Sequence, residues 1–502
     1  MRACFRLLLA LTVVALPALA CATGTAPARA PDVVLDGTFD GRDHQRYRTV
    51  PFDVPAGTER ITVQFEYDGR DRKTTVDLGL LGPGAFASPQ GFRGWSGGNK
   101  SLFTVSSTDA TPSYLPGAIE PGRWSLLLGI PNIRKDVTSH YRARVWFGRA
   151  DEPLATPLRS GEGWYRGDLH LHDAHSDGSC RSQGGAKVPC PVFLTAQAAA
   201  ERGLDFIAIT DHNTSSHANA IRELQPYFDR LLLVPGREIT TFSGHANLFG
   251  SVAPLDFRVA GERDWTAVLH DAQRLPAVVS INHPIRPSDE RCMGCGWTPS
   301  PAADLRLLQA VEVVNGMDAD TPYSGIGFWH AQLEAGHRLT AIGGSDNHDA
   351  ALPSSGPGGG AIGQPTTVVH ARELSMPAIL DGLRTGDVFV DVQGSRDRAM
   401  SMRGVAGTRS ATMGGELAVP AGDTARFEVH AGNVAGGRVV LWLDGREVAL
   451  LADPAIASAA QTLAFDWTGD GRAHWLRADV RGADGRLWLV GNPIYVRPAP
   501  TP

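Results

Sequence analysis

The sequence predicts a multidomain protein, with a central α/β barrel flanked by an N-terminal β-sandwich and a C-terminal Ig-like β-sandwich. Three observations carry this. At 502 residues the chain is too long for one ordinary core. Its two flanks read as short alternating apolar and polar stretches, whereas residues 159–395 alternate apolar strands with helical segments. Within that middle segment, six apolar runs each lead into a metal-preferring residue, as expected of strands that end at the mouth of a barrel.

In chain order, residues 1–20 read as a secretory signal. Arg2 and Arg6 precede or flank the start of the apolar run Leu7–Leu16, which is too short to span a bilayer, and Ala18-Leu19-Ala20 supplies small residues for cleavage. Cys21 directly after that site also fits a lipid anchor, although Ala18 stands where a lipobox usually has Leu. Residues 21–31, rich in Ala, Pro and Thr, form a flexible leader. Export places the other cysteines in an oxidising space. Two local disulfides are therefore expected, within the pairs Cys180/Cys190 and Cys292/Cys295, with a zinc knuckle of the four as the alternative.

Residues 32–158 form the first sandwich, from the period-2 stretches Arg60–Tyr67, Thr75–Leu80, Trp124–Gly129 and Tyr141–Trp146. In the central segment, helices are expected at Pro191–Arg202, Asp264–Arg274, Ile326–Ala335 and Met376–Thr385, the first with Pro in its opening turn and Gly203 just past its end. Strands that alternate with helices predict a parallel sheet closed into a barrel. Gly356–Gly363 reads as a mobile loop. Residues 396–502 return to short alternation at Ala425–His430, Arg438–Leu443 and His474–Val480, giving the second sandwich.

The chemistry sits at the strand ends. His170 and His172 are two apart on a predicted strand, so both imidazoles project from one face and one ion can take both. Asp177 lies in a turn closed by Gly178, within reach of a second ion. Asp211-His212 follows Phe206–Thr210, and Glu238 follows Leu231–Pro235. His245 lies in Gly244-His-Ala-Asn247, His283 follows Ala277–Ile281, Asn315 ends the fifth run, and Asp346 and His348 follow Leu339–Gly344. Each alone reads as a capping Asp, a turn His or an exposed Glu. Together, at successive strand ends, they predict a shared metal site.

The motif order His-x-His with Ser-Asp-Gly, Thr-Asp-His, Gly-x-Glu, Gly-His-x-Asn, Asn-His-Pro and Gly-Ser-Asp-x-His resembles the polymerase and histidinol phosphatase (PHP) superfamily over roughly residues 160–395. The Gly-His-x-Asn element and the flanking β-domains are similar to its carbaryl-hydrolase-like branch. The resemblance implies a distorted (β/α)7 PHP barrel with two or three divalent ions. It places His170, His172 and Asp346 on one ion, with Glu238 bridging to a neighbour. It places Asp177, His212 and His348 on another, and His245 and His283 with Glu238 on a third. His175 is an additional imidazole within the first motif. Amidohydrolases also open with His-x-His, but many of their binuclear members bridge metals with a carboxylated lysine. The only lysine between Trp164 and Val392 is Lys187, in a loop and not at a mid-barrel strand end.

The expected activity is hydrolysis by metal-activated hydroxide. The His-rich set suits Zn²⁺, and the carboxylates tolerate Mn²⁺ or Fe²⁺. His175 is the candidate for proton transfer, and Arg237 and Arg286 could fork onto a phosphate or carboxylate oxygen. A phosphoester is the first substrate class. A carbamate, carboxylic ester or amide is the alternative, with Trp297, Phe328 and Trp329 as an apolar slot. A non-catalytic secreted binding protein is the third reading. A formal net charge of −6 argues against nucleic acid as partner, and no membrane span is expected beyond the leader.

Overall fold

The computed structural model describes residues 26–149, 157–290, 292–356 and 359–498. The leader, the cleavage site and Cys21 lie outside them, as does part of the Gly356–Gly363 loop. Among the described residues, no helix is long and apolar enough to cross a membrane.

The N-terminal block holds two four-stranded antiparallel sheets. One orders Val33–Asp40, Thr138–Gly148, Arg60–Tyr67 and Leu102–Ser106; the other orders Arg46–Val54, Gly122–Asn132, Thr75–Leu81 and Phe92–Ser96. Strand alternation sends every second side chain inward. Ile61, Val63 and Phe65 from the first sheet therefore share one buried cluster with Leu78, Leu80, Trp124, Leu126 and Leu128 from the second.

The central segment contributes strands β1 (Arg159–Leu171), β2 (Phe206–Ile209), β3 (Leu232–Thr241), β4 (Gly244–Phe249), β5 (Val278–Ile281), β6 (Ala310–Asn315), β7 (Thr340–Gly344), β8 (Thr366–Leu374) and β9 (Val388–Asp391). Their order in space is β7-β6-β5-β4-β3-β2-β1-β8-β9. β1, β2 and β3 run parallel, and so do β5, β6 and β7. The sheet is nevertheless mixed and not uniformly parallel, because β3 turns directly into β4 through residues 242–243 and β4 is antiparallel to both neighbours. A two-residue connection permits only that direction. β8 is antiparallel to β1 as well.

The run from β1 to β7 curls so that its two ends meet. His172 donates its N–H to Asn347 O at 3.0 Å, an isolated parallel bridge joins Leu171 to Asn347, and Ser345 N donates to Asp168 Oδ1 at 3.0 Å. Helices α1 (Val192–Glu201), α2 (Ala218–Leu224), α3 (Trp265–Ala272), α4 (Ile326–Glu334) and α5 (Met376–Thr385) occupy the connections. Asp264 and Ser375 cap α3 and α5 through their side chains, and Gly386 closes α5 in the left-handed region at φ 79°. Helix α2 was not foreseen in the sequence. It is only seven residues long and begins with no capping side chain.

The C-terminal strands do not stand apart from the centre. β9 pairs with Leu487–Gly491, so the central sheet continues through His474–Arg481 and Arg438–Leu443. A second sheet of Arg409–Thr412, Ala399–Ala406, Thr424–Gly432 and Ala460–Thr468 faces it, and Val368 of β8 and Phe389 of β9 join the core between them. Residues Val388–Asp391 are buried at every position, with no alternation to mark a partner sheet.

Candidate metal centre

The local backbone aims the candidate ligands. Asp168 in β1 accepts N–H bonds from His170, Ser345 and Gly363 at 3.2, 3.0 and 2.7 Å, tying the end of β1 to the segment after β7. His170 and His172 then point to one face and are buried. Glu238 of β3 bridges to His212 through the backbone, and the tight β3–β4 turn folds His245 back beside it. His283 and Asp346, each just past a strand, hold positive φ angles of 25° and 53°. Non-glycine residues adopt that region at a cost, and functional sites are where such strain collects.

All nine residues expected as ligands converge. The Glu238 carboxylate lies at their middle. Its Oε1 is 3.5 Å from His170 Nε2, 3.2 Å from His245 Nδ1 and 3.3 Å from His283 Nε2. Its Oε2 is 3.5 Å from His172 Nε2 and 2.9 Å from His212 Nδ1, whose hydrogen bond goes instead to Thr240 Oγ1. Asp346 Oδ1 stands 3.3 Å from both His170 Nε2 and His172 Nε2. Toward solvent, Asp177 Oδ1 lies 3.7 Å from His212 Nε2 and 3.4 Å from His348 Nε2.

These donors fall into groups compact enough to hold an ion: His170 with His172 and Asp346; His172 with Asp177, His212 and His348; and His170 with Glu238 and His283. Nε2 of His170, Nε2 of His172 and Oε2 of Glu238 are buried without a hydrogen-bond partner. Buried polar atoms are rarely left so, and these converge on one small space. Imidazoles with carboxylates suit Zn²⁺, Mn²⁺ or Fe²⁺, so the donor set fits divalent ions.

The electrostatics agree. Burial alone would raise the Glu238 carboxyl, but the imidazoles around it, His170 first, hold it well below its ordinary value. Burial pushes His172 down to about 4, which leaves it neutral near pH 7, the form that ligates. Burial also works against a charged His170, yet Asp346, Glu312 and Glu238 raise it well above the usual imidazole range. Three carboxylates thus favour positive charge at this point, a demand that a cation also meets.

Of the three residues expected to act on substrate, only Arg286 lies at the cluster. Its Nη1 is 3.4 Å from Asp346 Oδ2 and its Nε donates to Asp318 Oδ2 at 3.0 Å. Arg237 does not. Strand alternation sends it to the opposite side from Glu238, where it is buried and donates to Ala253 O. His175 does not join the ligand set either. Its backbone N–H bonds Asp173 Oδ1, and its Nδ1 lies 2.7 Å from Ser216 Oγ. Asp211, at the end of the second run, braces a loop: it accepts from Asp173 N and Ser176 Oγ and pairs with His217 Nδ1 at 2.9 Å. The aromatic slot is not formed. Trp329 is fully buried with Nε1 bonded to Leu339 O, and Trp297 and Phe328 pack against the same core. Lys187 is exposed in a small hairpin.

Glu312 was missed. It is 2 % exposed between valines in β6, lies 3.1 Å from His170 Nδ1, and accepts from His283 N and Asn315 Nδ2, both at 2.9 Å. A lone acid within Val311–Val314 was the available signal. Asn282, which donates to Glu238 Oε1 at 2.9 Å, was hidden inside the Asn-His-Pro motif.

Of the two expected disulfides, Cys292–Cys295 is formed. Cys180 and Cys190 are instead free and buried, and burial pushes the Cys190 thiol up to about 12. The antiparallel register sets Cys180 opposite Val188 and leaves Cys190 just beyond the paired residues.

No protein-family profile matches the chain, and no curated protein matches it. Among solved structures, a xylanase 10C variant from Cellvibrio japonicus in complex with xylopentaose aligns at 8 % identity with a TM-score of 0.15, covering 56 % of this chain and 51 % of that one. The chain thus spans about half of that protein, and a likeness this slight carries no argument.

Proposed function

We propose that this chain is a metal-dependent phosphoester hydrolase of the PHP superfamily, exported by its N-terminal signal. One observation supports the reading above others: three buried atoms without hydrogen-bond partners, His170 Nε2 and His172 Nε2 from the end of β1 and Glu238 Oε2 from β3, face one another inside a set of nine converging imidazoles and carboxylates. When bound there, divalent ions supply Lewis acidity and ionise a water near neutral pH. Glu238 and Asp346 hold negative charge in place, and Glu312 orients His170 so that its Nε2 faces the centre. Asp177, His212 and His348 form the solvent-facing side, where substrate enters. Arg286, one-third exposed beside Asp346, is placed to receive a phosphoryl oxygen. With the aromatic slot absent, a compact anion suits this mouth better than an aryl carbamate.

The test is turnover of p-nitrophenyl phosphate and p-nitrophenyl acetate by protein loaded with Mn²⁺ or Zn²⁺. Phosphate turnover that chelator abolishes is expected. Turnover of acetate alone would move the substrate to the acyl class, and hydrolysis at full rate in metal-free protein would overturn the reading.

A further inference from the structure

The Cys292–Cys295 loop covers the solvent side of His245 and His283. Met293 O lies 3.3 Å from His245 Nε2, and Cys295 O lies 3.0 Å from His283 Nδ1. The sulfur is also placed for contact. Cys295 is 2 % exposed, and its Sγ and one ring nitrogen of each histidine all lie within 4.8 Å of one another. Cys292 at the other end of the bridge is partly exposed, beside the exposed Met293.

A bridge that served only to pin this loop would not need its buried sulfur in ligand range of two imidazoles. We propose that Cys292–Cys295 is a redox gate: reduction frees Cys295 as a thiolate ligand that joins His245 and His283 in a two-histidine, one-cysteine zinc site. The inference rests on reading the cluster as a metal centre. The reductant is a dithiol. One of its sulfurs attacks Cys292 Sγ, the more accessible half; the S–S bond breaks and Cys295 Sγ leaves as a thiolate. The second sulfur of the dithiol then closes its own disulfide and displaces Cys292. Two electrons pass to the protein. One of the two thiol protons ends on Cys292, and the other is released when the cation takes Cys295. In the oxidised form, the compact set that includes His283 is completed by His170 and the Glu238 carboxylate without sulfur, a set that tolerates Mn²⁺ or Fe²⁺. A thiolate shifts that preference toward Zn²⁺ and its analogue Co²⁺.

Co²⁺ titration of the full chain, oxidised and after reduction with a phosphine, reads this directly. Oxidised protein should bind Co²⁺ without a thiolate-to-metal charge-transfer band, and reduced protein should gain that band in the near ultraviolet. Cys292→Ser should show the band without reductant, and Cys295→Ser should not show it in either state. Reduced protein that binds Co²⁺ with no band, or a band that survives Cys295→Ser, overturns the gate and leaves the metal centre standing. No Co²⁺ uptake in any form overturns both.

Discussion

Two buried polar clusters in this molecule use similar charges to opposite effect. Where the N-terminal block meets α2, Asp109 accepts from Arg60 Nη2 at 2.6 Å and Ser106 Oγ at 2.6 Å, and pairs with Arg222, which also donates to Thr104 Oγ1 at 2.8 Å. None of these side-chain atoms is left buried without a partner. Around Glu238, by contrast, three buried donor or acceptor atoms lack one, and all face inward. A saturated cluster holds segments together. A cluster whose unsatisfied atoms share one direction is waiting for something between them, because each such atom costs about 1–3 kcal/mol if nothing arrives.

Neutralising one carboxylate in each cluster tests that contrast with matched shapes. Asp346→Asn should cut phosphoester turnover by roughly 10³-fold or more and lower metal content by elemental analysis, while metal-free protein changes in stability by no more than about 1 kcal/mol. Asp109→Asn should do the reverse. It leaves the buried Arg60 and part-buried Arg222 guanidinium groups without their anion, for a loss of about 3–5 kcal/mol in urea denaturation, with turnover and metal content unchanged. Equal stability losses with metal retained in both would erase the distinction.

Glu312→Gln probes the layer behind the candidate ligands. It keeps the shape but weakens the acceptor that orients His170, so Zn²⁺ affinity by equilibrium dialysis should fall about 10–100-fold. An unchanged affinity would make Glu312 a structural acid like Asp109.

The sequence made the clustered residues legible because strand periodicity and position at an apolar run's end are local properties. His170, His172, Glu238 and Asp346 needed only the rule that strand ends face one mouth. What stayed hidden depended on tertiary pairing. The direction of β4 turned on a two-residue hairpin, the merger of β9 with Leu487–Gly491 left no alternation to read, and Glu312 gained its role from a histidine 142 positions away. Arg237 was misplaced for a different reason. Adjacency to Glu238 along a strand means the opposite face, so nearness in sequence was evidence against it.

Arg286 and Arg237 therefore make a paired test of smaller size. Arg286→Met should raise KM for p-nitrophenyl phosphate by about tenfold, the scale of one charged hydrogen bond, with metal content intact. Arg237→Met should leave KM unchanged. A KM effect at Arg237 would mean that the mouth extends to the other side of β3.

The gentlest test is pH. Burial raises the Asp109 carboxyl, but Arg222 and Arg60 pull it below its ordinary 3.8. A folded value under the unfolded one means that the unfolded chain binds more protons in that interval, so stability rises with pH across it. The contribution of Asp109 is thus complete above about pH 4 and fades only as pH falls through the lower folded value. The urea midpoint gap between wild type and Asp109→Asn should stay flat from neutral pH to that point. Metal stabilisation should fade earlier. Its imidazoles must be unprotonated to ligate, so protons compete with the ions for the folded site, and the gap between metal-loaded and chelator-treated protein should shrink as pH falls below neutral. If the chelator gap instead persists as far into acid as the Asp109 gap, the ions are held by carboxylates alone, and the histidines around Glu238 serve packing as Arg60 and Arg222 do.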